Sequence, residues 1–264
     1  MVAFRQICWG RIAMGRFGKK RIGLLTPAGN TTIEDDFARW IPDSVKLHVN
    51  RLFTGSPDRP NTPEGLLTGL QEMGDAVEEP ARWLGTAEVD VIAFGCTGGS
   101  FLNGPGYDRE ITEKISTAAG GVQTVVAAGA VADALKELGV RRIAVCTPYP
   151  EELNERLRSF YTAAGFDIVN FAYEDGGIPQ DSAAEAREAA LRMALGVDTP
   201  EAEAILISCT AFEGAGESIE LIEELTAKPV VTSNQATFWA CLRALRVSQH
   251  IPGTGRLMSE RVTA

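Results

Sequence analysis

Long apolar runs are missing from this chain of 264 residues. None approaches the ~18 consecutive apolar residues that cross a bilayer as a helix, which excludes a membrane span. Basic charge is also in short supply. The formal net charge is −10, whereas a nucleic-acid binder carries a basic patch or stripe, so nucleic acid is excluded as a partner. An anionic substrate must then be held by local donors. Histidine occurs only as His48 and His250, and neither lies beside a ligand or nucleophile motif, which disfavours a zinc enzyme or a Cys–His hydrolase. The five cysteines Cys8, Cys96, Cys146, Cys209 and Cys241 include no CxxC pair, so neither a zinc site nor a redox dithiol is written here. Gly18-Lys19-Lys20 is not a P-loop, and Gly214-Ala215-Gly216 lacks the third glycine of a dinucleotide fingerprint. No metal, nucleotide or other cofactor requirement is legible.

What remains is an ordinary soluble composition, 45% hydrophobic and 23% charged, long enough for one large or two small domains. Widely spaced, odd-numbered cysteines read as reduced thiols in a cytoplasmic protein. Residues 1–20 carry Arg5, Arg11, Arg16, Lys19 and Lys20 with no acid. They read as an N-terminal extension, with a transit peptide as the alternative.

The informative content is repetition. Asp90-Val91-Ile92-Ala93-Phe94-Gly95-Cys96-Thr97 aligns without a gap on Glu203-Ala204-Ile205-Leu206-Ile207-Ser208-Cys209-Thr210. Arg21 to Pro27 aligns in the same way on Arg142 to Pro148, and a looser echo pairs Val125-Val126 with Val230-Val231. Short apolar runs alternate with helical spacing at 61–84, 130–138, 151–164, 182–195 and 217–225. The expected fold is α/β, with two pseudo-symmetric lobes that are each a parallel sheet flanked by helices, and an active site in the cleft between them. Residues 21–119 plus 230–250 are expected to form lobe 1, residues 120–229 lobe 2 and residues 251–264 a C-terminal tail.

Cys96 and Cys209 both end such runs. At a strand-to-helix turn, backbone N–H groups and the helix dipole stabilise a thiolate and lower its pKa toward neutrality. Thr97, Gly98, Gly99 and Ser100 after Cys96, and Thr210 after Cys209, can also present donors to a carboxylate. The alternative is that both thiols merely close core strands. Cys146 and Cys241 read as packing residues. Asn30 offers an amide donor after the first strand, with Thr31 or Thr32 capping the next helix and Glu34 near a capping-box position. Tyr149 is either a donor to a carboxylate or enolate oxygen or a rigid lid over the core.

Residues 26–32 (Thr-Pro-Ala-Gly-Asn-Thr-Thr), 95–101 (Gly-Cys-Thr-Gly-Gly-Ser-Phe), 147–149 (Thr-Pro-Tyr) and 208–210 (Ser-Cys-Thr) together resemble the aspartate/glutamate racemase superfamily, in its maleate cis-trans isomerase and arylmalonate decarboxylase branch. The resemblance runs from about Arg21 to Leu245. It implies a cofactor-independent enzyme, often a homo-oligomer, holding a small carboxylate between two cysteines. In isomerase-like members the residue matching Cys96 adds to the carbon–carbon double bond and the one matching Cys209 exchanges a proton. In racemase-like members the two thiols act as base and acid. The residues matching Asn30 and Tyr149 help bind a carboxylate. Decarboxylase-like members carry glycine at the position of Cys96. One departure stands out: isomerase-like members have a further Asn where this chain reads Gly176-Gly177-Ile178-Pro179-Gln180-Asp181, which leaves the second carboxylate contact unassigned.

The expectation is therefore a maleate isomerase-like enzyme with Cys96 and Cys209 as its catalytic pair. Asn30, Thr97, Gly98, Tyr149 and Thr210 are its expected substrate contacts. An amino-acid racemase, an arylmalonate decarboxylase-like enzyme and a non-catalytic carboxylate binder are the alternatives.

Overall fold

The computed structural model describes residues 18–53, 59–60, 62–174 and 182–259. Its first half runs β1 (Lys20–Pro27), α1 (Thr32–Trp40), β2 (Val45–Leu52), α2 (Pro63–Asp75), α3 (Glu78–Thr86), β3 (Val91–Phe94), α4 (Thr97–Phe101), α5 (Tyr107–Ala118), β4 (Gln123–Val126) and α6 (Ala127–Glu137). The second half runs β5 (Arg142–Thr147), α7 (Glu151–Ala163), β6 (Asp167–Tyr173), α8 (Ala183–Val197), β7 (Ala204–Ile207), α9 (Ala215–Thr226), β8 (Val230–Thr232) and α10 (Ser233–Ala244), with a 3₁₀ turn at Arg256–Met258.

Both sheets are parallel throughout, in the orders β2-β1-β3-β4 and β6-β5-β7-β8. One strand order used twice is the structural form of the sequence echoes. Their opening acids have a defined task. Asp90 Oδ2 accepts the Arg21 N–H at 2.9 Å, and Glu203 Oε2 accepts the Arg142 N–H at 2.9 Å. Each acid thereby sets the register between two central strands. β3 and β7 are buried at every position, as strands covered by helices on both faces must be. One apolar cluster, including Leu24, Phe94, Val145 and Leu206, extends through both halves.

Several expectations are corrected. The helical stretch at 61–84 is two helices, because Pro80 lacks an N–H and its ring would clash with the carbonyl of Ala76 in a continuous helix. β2 and β6 go beyond the sequence expectation: each is an outer sheet edge, and its mixed polar pattern lacks the apolar run of a central strand. The lobe boundaries also shift. β4, placed at 120–229 in the second lobe, pairs with β3, and β8, placed in the first, pairs with β7. The chain therefore crosses after these strands rather than before them. α10 does return to the first half, where Phe238 meets Phe37 edge-on at 5.0 Å and packs on Trp40.

The described part of the tail is docked. Ile251, Leu257 and Met258 are buried, and Gln235 Nε2 donates to Thr254 O at 2.5 Å. Residues 1–17, 175–181 and 260–264, with Cys8 and Gln180, lie outside the described residues. Among those described, no helix is long and apolar enough to cross a membrane.

Candidate active site

The carboxyl ends of β1, β3, β5 and β7 converge, as open parallel sheets direct. Past β3, the Gly95 N–H still pairs with Leu25 O at 2.7 Å, and past β7 the Ser208 N–H pairs with Cys146 O at 3.0 Å. Both chains then leave their sheets at the next residue, which is a cysteine. Gly95 packs tightly here, since a Cβ there would sit 2.7 Å from Ile33 Cδ1 and 3.3 Å from Leu25 O and would displace the Ile33 side chain.

The two thiols have different settings. Cys96 is the N-cap of α4, with its sulfur accepting the Gly99 N–H at 3.4 Å and its carbonyl accepting from Ser100 Oγ at 2.6 Å. A Cβ on Gly99 would stand 3.1 Å from that sulfur. Gly98 fills a tight contact instead, since a Cβ there would meet Leu153 at 3.2 Å and Leu70 at 3.3 Å. Cys209 begins a turn rather than a helix, and α9 starts only at Ala215 after Gly214 in left-handed conformation. Its sulfur accepts the Ala211 N–H at 3.4 Å, and the Tyr149 hydroxyl is near enough to act on its ionisation.

Tyr149 is nearly buried, and its ring meets Phe101 of α4 edge-on at 6.2 Å. Its turn is fixed by Asn154, which accepts from Thr147 Oγ1 at 2.6 Å and donates to Tyr149 O at 2.8 Å. Asn30 Nδ2 donates to Thr210 Oγ1 at 3.1 Å, and that hydroxyl donates to Gly95 O at 3.1 Å. Three loops are thus tied together beside the cysteines. Asn30 also performs the capping expected of the threonines: Thr31 makes no side-chain cap, whereas Asn30 Oδ1 accepts the Ile33 N–H at 3.4 Å. Thr32 turns to Glu213 across the lobes at 2.8 Å, and Glu34 pairs with Arg51.

The thiols do not have the lowered pKa that the turn alone would give. Burial pushes Cys96 up to about 12, outweighing the Gly99 N–H, and the nearby Cys209 adds to the rise. Cys209 is also raised by burial, although the Ala211 N–H and the Tyr149 hydroxyl act against the rise. Tyr149 is itself raised well above its ordinary value by burial and then by Cys209. One N–H at the end of a five-residue helix cannot replace the hydration a buried anion loses. Burial therefore favours the neutral thiol at both positions.

Cys96, Cys209, Asn30, Tyr149 and Thr210 lie at these strand ends, and Thr97 and Gly98 form the first turn of α4 directly after Cys96. Thr97 Oγ1 and Ser208 Oγ are buried without a hydrogen-bond partner among the described residues. Sequence reasoning missed Asn154, Asp36 and Asn234. Each is an amide or acid inside a helix, and the available signal was a polar residue on an otherwise buried helix face. No cluster of three or more His, Cys, Asp or Glu able to hold a metal occurs among the described residues.

The fold and the paired thiols define a two-lobed α/β protein with its reactive groups at facing strand ends. The chain belongs to the arylmalonate decarboxylase family, whose pattern it matches over residues 66–258. The crystal structure of a cysteine-to-alanine variant of the maleate isomerase from Pseudomonas putida S16 with maleate is similar, with a TM-score of 0.81 and 25% identity over 91% of this chain and 98% of that one. A Cys-to-Ser mutant of the Nocardia farcinica maleate cis-trans isomerase, with a covalently bound succinylcysteine intermediate, is similar with a TM-score of 0.77 and 25% identity over 94% and 100% of the two chains. The arylmalonate decarboxylase of Bordetella bronchiseptica is 30% identical over 90% of this chain and 96% of its own length.

Proposed function

We propose that this protein is a cofactor-independent cis-trans isomerase of a small cis-dicarboxylate such as maleate. Cys96 is its nucleophile and Cys209 its proton partner. The observation that carries this reading is the pair of thiols at matched strand ends, whose turns are joined by the Thr210 hydroxyl donating to the Gly95 carbonyl at 3.1 Å. The succinylcysteine intermediate of the Nocardia farcinica enzyme supports a covalent route.

Raised thiol pKa values favour a neutral relay. Cys96 sulfur forms a bond to one alkene carbon as the π bond breaks, and the Cys209 proton passes to the adjacent carbon. The Cys96 proton passes to the Cys209 sulfur. The resulting thioether turns about the new carbon–carbon single bond, and the reverse transfers expel the trans isomer. All atoms and electrons balance without another reactant. The Ala211 N–H and Tyr149 O–H face the Cys209 sulfur, where they offset negative charge during transfer. The second N–H of Asn30, the free Thr97 hydroxyl, the Gly98 backbone and the Thr210 backbone N–H are the proposed carboxylate contacts. They act on a substrate whose charge the acidic protein does not attract as a whole.

A second reading, decarboxylation of an arylmalonate, is favoured by the family and by the Bordetella bronchiseptica relative. Cys96 stands against it, since decarboxylase-like members have glycine there. We further propose a cytoplasmic homo-oligomer, in keeping with the free thiols of Cys96, Cys146, Cys209 and Cys241. Proton NMR of enzyme with maleate in deuterated buffer tests the main reading. Growth of the fumarate vinyl signal supports it; no change with maleate, together with carbon dioxide release from phenylmalonate, replaces it with decarboxylation.

A further inference from the structure

Asn234 is the second residue of α10, at the point where the chain leaves the second sheet and returns to the first half. It is 3% exposed. Its Nδ2 donates twice, to Asp36 Oδ2 at 2.8 Å and to Thr210 O at 3.1 Å. That carbonyl belongs to the peptide unit joining Thr210 to Ala211, and the N–H of the same unit is the one donated to Cys209 sulfur at 3.4 Å. A peptide unit is planar, with C=O and N–H pointing oppositely. Whatever pins the carbonyl therefore aims the N–H.

Asp36 decides which end of the Asn234 amide faces the peptide. A carboxylate only accepts, so Nδ2 must lie toward Asp36, and the same nitrogen then reaches Thr210 O. A reversed amide would set Oδ1 against two oxygens. Asp36 is itself located by Arg39 Nη1 at 2.9 Å on its other oxygen. Close packing leaves it little freedom, since a Cβ on Gly216 would come within 2.6 Å of Asp36 Oδ1.

We propose that Asp36 and Asn234 are positioning residues for the reaction: through the Thr210–Ala211 peptide they aim the N–H donor that stabilises Cys209 as it exchanges its proton. The inference rests on the isomerase reading for its kinetic arm and on geometry alone for its thiol arm.

The test combines Asp36→Asn and Asn234→Ala with the surface control Glu217→Gln, whose partner is the exposed side of Arg39. Asp36→Asn keeps the shape and relieves a buried charge, but its amide no longer forces the orientation of Asn234. It is expected to lower kcat on maleate by about 10- to 100-fold, the range for misplacing one donor, with KM within about 3-fold and Tm at pH 7 no lower than that of the parent. Asn234→Ala should lower kcat at least as much, and Glu217→Gln should stay within about 2-fold. Iodoacetamide labelling read peptide by peptide should slow at Cys209 in both variants, with Cys96 unchanged. Parental kcat and Cys209 labelling in folded Asp36→Asn overturn the proposal, as does a kcat loss that only tracks a fall in Tm. If the parent does not turn over maleate, the isomerase reading fails, and the labelling ratio still decides the positioning claim. If Asp36→Asn does not fold, Asn234→Ala gives the same labelling readout.

Discussion

The Thr210 hydroxyl donates to the Gly95 carbonyl at 3.1 Å, linking the residue after one cysteine to the residue before the other. The spacing of the two sulfurs is thereby held by a bond between lobes rather than by either sheet alone. Asn30 completes the tie by donating to the same hydroxyl at 3.1 Å.

Thr210→Val keeps the shape and removes that hydroxyl, leaving the Gly95 carbonyl and an Asn30 N–H buried without their partner. An orphaned buried group costs about 1–3 kcal/mol. With two of them we expect a stability loss of about 2–6 kcal/mol in urea unfolding, and a fall in kcat of at least about 10-fold, because separated reacting atoms lose rate steeply. Unchanged kcat in the folded variant would show that the bond does not set the sulfur spacing.

Asn154 lies in the core of α7 with 0% exposure, yet it holds the Tyr149 turn through two hydrogen bonds. Asn154→Leu should reduce kcat by about 10-fold, less than the ~10²–10⁴-fold lost with a general acid–base group itself, because it loosens the Tyr149 turn without removing a reacting group. Tyr149→Phe, which keeps the ring on Phe101, should reduce it as much and slow alkylation of Cys209. Parental kinetics in Tyr149→Phe would assign that side chain to packing alone.

Burial raises Asp36 to about 6 from 3.8. Its folded pKa lies above its unfolded one, so the folded state holds the extra proton between these values. Stability from this group is therefore greatest below about pH 4, falls as pH rises to about 6 and is level above that. At about 1.4 kcal/mol per pKa unit the cost at neutral pH is on the order of 3 kcal/mol. Asp36→Asn should remove this slope and raise Tm at pH 7, as checked by thermal melts from pH 4 to pH 8. Parallel curves for the two proteins would refute the assignment. A charge retained at such a cost fits a functional role better than a structural one.

With Cys96 pushed up to about 12, its alkylation should be slow at pH 7 and rise about 10-fold per pH unit, following the thiolate fraction. Turnover by the neutral relay should instead be level across neutral pH and decline at alkaline pH as a thiol is lost. A kcat that climbs with the Cys96 labelling rate would replace the relay with attack by a preformed thiolate.

The central strands and both cysteines were legible because their information is local. Val91–Phe94 and Ala204–Ile207 are apolar at every position, and the acids before them align. Edge strands such as β2 alternate too weakly to stand out. The ionisation of the thiols was misread because a turn discloses its N–H donors, whereas burial is a property of the whole fold. Asp36 and Asn234 lie 198 positions apart, so neither carries a local mark of its partner. Where the chain crosses between lobes is likewise decided by pairing, since β4 and β8 each join the sheet already begun.

The central claim is covalent addition at Cys96 with protonation governed by Cys209. Its most direct test is peptide mass spectrometry of Cys209→Ser after incubation with maleate. The account predicts that the peptide containing Cys96 gains the mass of one maleic acid while the other cysteine peptides do not, and that Cys96→Ser gains none. An unmodified Cys96 peptide under conditions where the parent converts maleate to fumarate would contradict it.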